Sequence, residues 1–214
     1  MTESHSPDPD FSPHLPRAFY TRETRLVARA LLGQVVVHRS ADGLTAGRIV
    51  ETEAYLGPDD LASHAATRRK ERIDVLWREP GIAYIYRSYG IHAMLNVVAQ
   101  EPGATGAILI RALEPLAGIP LMLKRRSQDD LHALCSGPGK LCQAMAIRLD
   151  QQGADLVTSD TLWFAPGPPV AAITTSGRIG ISQAQDDPWR YWEKDSPFVS
   201  AHRRGTSFDG EDPA

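Results

Sequence analysis

Apolar positions along the chain change their period several times, and each change marks an element. From Thr21 to Leu32, Val27, Ala30 and Leu31 fall at helical spacing, with Thr21 placed to cap the start and Gly33 to end it. Gln34 to His38 then switches to a β-branched run that reads as a strand. Gly47 to Tyr55, Ile82 to Tyr86, Ile91 to Val98 and Ala107 to Leu113 alternate in the manner of strands. Helical spacing returns over Ile119 to Arg126 and from Lys140 to about Ile147, the latter after a Gly-Pro-Gly turn. Further strands are expected at Leu162 to Phe164, at Arg178 to Ile181 and near Phe198. Hairpin-length gaps separate many of the strands, so the pattern predicts an α+β fold with an antiparallel sheet rather than βαβ repeats.

Residues 1–16 are rich in Ser, Pro and Asp and read as a disordered lead-in, and the Gly- and acid-rich residues 204–214 read as a disordered tail. No repeat or long linker divides residues 17–203, which are expected to form one domain. No run approaches the ~20 apolar residues of a membrane span, and the N-terminus lacks a basic-then-apolar signal. Cys135 and Cys142 make no disulfide framework, which suits a reducing cytoplasm. The net charge of −3 gives no support to nucleic-acid binding, because a basic balance is the usual footprint of a phosphate-binding surface. Any such contact must come from a local patch.

The strand Arg48-Ile-Val-Glu-Thr-Glu-Ala-Tyr55 carries the most chemistry. With a period of two, Glu51, Glu53 and Tyr55 share one face, while Val50, Thr52 and Ala54 share the other. An acid beside a ring can work on a bond while the ring holds a flat ligand; an exposed polar face with an ordinary tyrosine gives the same period. Tyr84 and Tyr86 also share a strand face, and Tyr89-Gly90 marks a turn from which a ring can project. Such rings suit a protein that handles bases, although alternate tyrosines also serve cross-strand packing. Arg111 interrupts the apolar run Ala107 to Leu113 and requires a partner if buried, with Glu53 or another carboxylate as candidates.

The loop Cys135-Ser136-Gly137-Pro138-Gly139-Lys140 precedes a helix and could meet a phosphate through Ser136, Gly137 and Lys140, although a plain helix-start turn gives the same residues. It is not a Walker A loop, since Leu134 replaces the first glycine and Leu141 follows the lysine. His132, Cys135 and Cys142 lack a second Cys/His pair at finger spacing, so no metal is expected. Arg68, Arg69 and Arg72 belong to a basic run of the kind that usually forms a solvated face, and it is the best local candidate for a patch that meets DNA phosphates.

Taken together, five stretches resemble the alkyladenine (3-methyladenine) DNA glycosylase family. They are E-T-E-A-Y-L-G-P-D-D (51–60) with His64, Y-I-Y-R-S-Y-G-I-H-A-M-L-N (84–96), I-L-I-R-A-L-E-P-L (108–116), L-C-S-G-P-G-K-L-C-Q-A-M-A-I (134–147) and S-P-F-V-S (196–200). Their order and spacing match over about residues 17–203. The resemblance implies a single mixed domain around a curved, open-barrel-like antiparallel sheet with surrounding helices, and neither cofactor nor metal. It assigns Glu53 as the acid that activates water and Arg111 as the arginine beside it. Tyr55, His64 and Tyr86 become the walls around a flipped base, and Asn96 the residue that discriminates against guanine's exocyclic amine. Tyr89 becomes the ring wedged into the duplex. Two departures stand out: Ala65-Ala-Thr67 replaces a common Ser-x-Gly, and Arg72-Ile73 a common Arg-Asn.

The implied function is that of a monofunctional glycosylase. It would act as a monomer on double-stranded DNA containing 3-methyladenine, 7-methylguanine, hypoxanthine or ethenoadenine, in the cytoplasm and at the nucleoid in a bacterium. Flipping costs a few kcal/mol of unstacking, least for a damaged base. An alkylated purine is already cationic and a good leaving group, so one carboxylate can suffice where ordinary glycosidases use two. A nucleosidase would need the acid and the rings without the wedge, and a non-catalytic lesion binder would need the rings without Glu53.

Overall fold

The alternating stretches pair side by side into one curled antiparallel sheet. The structure is a computed structural model that describes residues 10–66 and 74–200. Its strands are β1 (Val35–Ser40), β2 (Gly43–Tyr55), β3 (Ala83–Ser88), β4 (His92–Val98), β5 (Ala107–Ala117), β6 (Leu162–Ala165), β7 (Ile173–Ser176) and β8 (Arg190–Glu193). They run in the order β3-β4-β5-β2-β1-β6, with β8 paired to β2 and β7 to β8. The α+β fold expected from the sequence is therefore the fold observed.

Strand β2 organises the sheet. One edge follows β5 from Ala46 to Tyr55. The other edge pairs with β1 along Gly43 to Arg48 and then with β8 along Glu51 to Glu53. The β2–β5 register shifts near Ala46, at Ile49/Glu51 and at Glu51/Thr52. Such bulges bend a strand and increase its twist, which lets one long strand serve two partners on the same edge and curls the sheet.

Helices α1 (Arg17–Tyr20), α2 (Thr24–Ala30), α3 (Ile119–Arg126) and α4 (Pro138–Met145) surround the sheet. Val27 and Leu31 meet Ile49, Ile110 and Leu113 of the sheet in the main core, and Leu141 joins them from α4. Gly33 turns the chain from α2 into β1 at φ +88°, where any Cβ would collide with the Pro168 carbonyl. A smaller cluster of Ala65, Val75, Leu76, Ile82, Tyr84, Val98 and Ala107 lies on the other face of β3, β4 and β5, since the alternating Ala83, Ile85, Val97 and Ile108 belong to the main core.

Several expected boundaries are corrected. The helix read from Thr21 to Leu32 is two helices, and Thr21 ends the first instead of capping the second. Glu23 is the cap, its carboxylate accepting from Leu26 N at 2.9 Å. A glutamate reaches back to the first turn as an aspartate would, a substitution that residue preferences for this position do not favour. Arg178 to Ile181 is a loop rather than a strand, and Phe198 lies in a turn; the strands there are β7 and β8. Residues 10–16, assigned by composition to a disordered lead-in, lie against β6. Leu15 is buried, its N–H donates to Phe164 O, and the Trp163 indole donates to Phe11 O. No helix of the described residues is long and apolar enough to cross a membrane.

Candidate active site

Period-two geometry delivers Glu51, Glu53 and Tyr55 to the same face of β2, but that face is not exposed. Both carboxylates are 0% exposed, so the exposed-face reading is excluded. Burying two carboxylates is costly unless cations and N–H donors meet them. Arg111, projecting from the neighbouring β5, meets both: Nε lies 3.1 Å from Glu51 Oε1 and Nη1 3.2 Å from Glu53 Oε2. Arg111 thus takes both candidate partners.

Glu51 is bound on every side. Arg190 Nε of β8 lies 2.7 Å from Oε1, Ser200 Oγ donates to Oε1 at 2.8 Å, and Ser200 N donates to Oε2 at 2.8 Å. Arg111 and Arg190 therefore balance Glu51 and Glu53 in charge. Glu53 Oε2 accepts from the Tyr55 hydroxyl at 2.8 Å as well as from Arg111, and Oε1 accepts from Ile179 N at 2.7 Å. A carboxylate offers about four acceptor positions, so acceptor capacity on Oε1 remains for a water.

Above this layer lies a cavity of about 350 Å³, lined by Tyr55, His64, Tyr84, Tyr86, Asn96 and Arg111 among others. Most of the lining comes from β2, β3, β4, β5, the 62–64 turn and the 179–181 loop, with Leu76, Tyr89 and Pro138 added at its edges, so the curl of the sheet creates it. Tyr84 and Tyr86 project together from β3, as their spacing requires. His64 Nδ1 lies 2.7 Å from the Tyr84 hydroxyl, and the His64 ring meets Tyr86 edge-on with centroids 4.6 Å apart. Asn96 Nδ2 donates to Tyr84 O at 3.0 Å and to Met94 O at 3.2 Å. Both amide hydrogens are thus committed, and Asn96 can present only its oxygen to a ligand.

Burial pushes the Tyr55 hydroxyl well above its ordinary value, with the Glu53 charge adding to the effect. The Tyr86 hydroxyl is pushed up to about 12, first by burial and then by Glu53. Both rings remain neutral hydrogen-bond donors at physiological pH.

Tyr89 sits at the tip of the β3–β4 hairpin, 90% exposed, with a left-handed φ of 49°. Ile91 beside it is 75% exposed. A non-glycine residue in that region carries backbone strain, here used to project an apolar tip beside the cavity mouth that Tyr89 itself lines. Ser136 and Gly137 precede α4, and Pro138 lines the cavity, which places this loop beside the hairpin. Exposed Lys140 reaches Ser136 Oγ at 3.4 Å. Arg68, Arg69, Arg72 and the Ile73 departure lie outside the described residues. Ala65, the first residue of the other departure, is buried against Val75 and Leu76. Cys135 and Cys142 are buried, and desolvation pushes both thiols up to about 12.

Sequence reasoning missed Asp60, Arg178, Arg190 and Ser200, all buried around this layer. Asp60 and Ser200 lay within stretches already singled out. Arg178, in the otherwise apolar run Arg-Ile-Gly-Ile, carried the same signal that raised the question of Arg111.

The sequence profile described as methylpurine-DNA glycosylase matches residues 18–197. A protein of Agrobacterium fabrum is 49% identical over 190 residues, covering 89% of this chain and 94% of its own. One of Prosthecochloris aestuarii is 46% identical over 187 residues, 86% of this chain and 89% of its own. One of Methanocella arvoryzae is 44% identical over 197 residues, 90% and 98% respectively. Each bears the name "Putative 3-methyladenine DNA glycosylase".

Proposed function

The chain belongs to the methylpurine-DNA glycosylase family, and on that premise we propose that it is a monofunctional DNA glycosylase starting base excision repair. It turns alkylated or otherwise damaged purines out of duplex DNA and hydrolyses their N-glycosidic bond. The observation that carries this reading is Glu53: a fully buried carboxylate, held by Tyr55, Arg111 and the Ile179 N–H, directly behind a ring-walled cavity.

The chemistry follows from that arrangement. A base enters among Tyr55, His64 and Tyr86, whose electron-rich faces favour the positive charge of an alkylated purine. Glu53 takes a proton from water through Oε1 as the water attacks C1′ of the deoxyribose. The bond to the purine breaks, its electrons leave with the base, and the carboxylate stabilises the oxocarbenium-like centre. Arg111 orients Glu53 through its 3.2 Å bond to Oε2. Among the described residues no lysine lines the cavity, which supports hydrolysis over a Schiff-base lyase step. Asn96 would exclude guanine's amine by space, since its free oxygen would otherwise welcome a donor. A labile lesion such as 7-methylguanine can still react.

The 90% exposed Tyr89 at the cavity mouth favours duplex DNA over free nucleosides, because only a duplex offers a gap for it to fill. We read it as a monomer that works in the compartment holding its DNA substrate. The test is a panel of duplexes, each with one 3-methyladenine, 7-methylguanine, hypoxanthine or ethenoadenine, alongside the free nucleosides. Base release from lesion duplexes that weakens with salt is expected, with none from nucleosides. In Glu53→Gln, release should fall by about 10³-fold or more while duplex binding persists. Unchanged release by that variant would remove Glu53 from the mechanism, and release confined to nucleosides would make the protein a nucleosidase.

A further inference from the structure

One buried ion pair stands behind the cavity without lining it. The Arg178 side chain is 0% exposed, with Nη1 2.6 Å from Asp60 Oδ2 and Nη2 2.9 Å from Asp60 Oδ1. Nη1 also donates to Ala54 O at 3.0 Å. The guanidinium carbon lies 4.8 Å from the centroid of the Tyr55 ring and 4.7 Å from that of Trp189. Asp60 is equally committed: Oδ2 accepts from Leu56 N and Oδ1 from Ala62 N, both at 3.0 Å.

What distinguishes the pair is the set of segments it joins. The first is the end of β2, which carries Glu53 and Tyr55. The second is the turn after it, which Asp60 ties at both ends and which delivers His64 two residues past Ala62. The third is the 177–181 loop, in which Ile179, next to Arg178, donates its N–H to Glu53 Oε1 at 2.7 Å. Stability alone does not call for such a pair, since a buried ion pair is often no more stabilising than apolar residues of similar volume. Holding three segments in register does call for directional bonds.

We propose that Asp60 and Arg178 are positioning residues for the glycosylase reaction, fixing the Tyr55 ring, the His64 turn and the Ile179 N–H relative to Glu53. The role rests on the reading of Glu53 as the group that activates water. It predicts a specific electrostatic consequence. Glu53 is faced by Arg111 from β5, Tyr55 and Glu51 from β2, Tyr86 from β3, and Arg190 from β8 paired to Glu51. If the 177–181 loop slips, Arg111, Glu51 and Arg190 stay while the Ile179 N–H donor to Glu53 is lost and the Tyr55 ring is no longer held. A carboxylate that loses a donor ionises at higher pH.

Arg178→Lys keeps the charge but cannot form the paired bonds to Asp60 or lie flat beside Tyr55. Single-turnover release of 3-methyladenine from duplex DNA should fall about 10- to 100-fold, with duplex affinity near the wild-type value. The acidic limb of the rate–pH profile should move to higher pH. A buried lysine can compromise folding, so the double variant Asp60→Leu/Arg178→Met, which removes both charges at similar volume, is measured in parallel and should show the same rate loss and the same shift. Wild-type rate and pH profile in either folded variant would overturn the proposal. So would a rate loss that only follows the unfolded fraction in a thermal melt, or failure of both variants to fold, since the pair would then be merely structural. A wild-type protein that releases no base from any lesion duplex would overturn the functional reading itself, and this role with it.

Discussion

The Tyr55 hydroxyl donates a 2.8 Å hydrogen bond to Glu53 Oε2, so a ring that walls the cavity is tied to the carboxylate behind it. The two are neighbours on one strand face, and neither can move without the other. In the proposed mechanism, a base stacked on Tyr55 therefore acts on Glu53 through this bond. Tyr55→Phe separates the two roles, since it keeps the ring and removes the bond. A hydrogen bond to a charged group contributes about 1.5–3 kcal/mol. Single-turnover release should therefore drop roughly 10- to 100-fold with duplex affinity little changed. Loss of affinity without loss of rate would place the hydroxyl on DNA instead.

Glu51 should govern stability more than chemistry. Its removal leaves Arg111 and Arg190 buried with Glu53 as the one remaining carboxylate of the group. Breaking a buried pair by removing one partner costs about 3–5 kcal/mol. Glu51→Ala should lower the urea midpoint accordingly, whereas a variant as stable as wild type would show that Arg111 and Arg190 find other partners.

Tyr89 should be silent in stability and decisive on duplex DNA. At 90% exposure its removal should change unfolding free energy by no more than about 0.5 kcal/mol. Base release by Tyr89→Ala should fall on duplex substrate and hold on single strands, where no gap needs filling. Equal losses on both substrates would contradict a wedge.

His38 should make the fold sensitive to mild acid. Its Nδ1 donates to Met145 O at 2.6 Å and its Nε2 accepts from Gln151 Nε2 at 2.9 Å, so the buried ring is neutral. Burial, above the other influences, holds its pKa below the usual 6.5. The unfolded chain thus takes up a proton near pH 6.5 that the native ring refuses. The stabilisation is fully present above pH 6.5 and is lost as pH falls from there toward the depressed native value. Urea midpoints measured from pH 7.5 to 5 should fall more steeply for wild type than for His38→Gln; parallel curves would exclude His38 as the cause.

The hydrophobic pattern by itself determined the long strands, helix α3 and the shared face of Glu51, Glu53 and Tyr55, because side-chain direction in a strand is a local property of the backbone. It also flagged Arg111 as a charge that needed a partner. It did not resolve β7 and β8, which are four residues each and hold their place by pairing with each other and with β2 rather than by their own periodicity. Tertiary structure alone decided that Glu51 and Glu53 are buried instead of exposed, and that Arg190 and Ser200, 139 and 149 residues away from Glu51, close around it. It decided as well that Asp60 and Arg178, 118 residues apart, stand behind Tyr55. The reason is physical: a carboxylate's face is set by its neighbours in sequence, but its desolvation and its counter-charges are set by whatever the folded sheet brings against it.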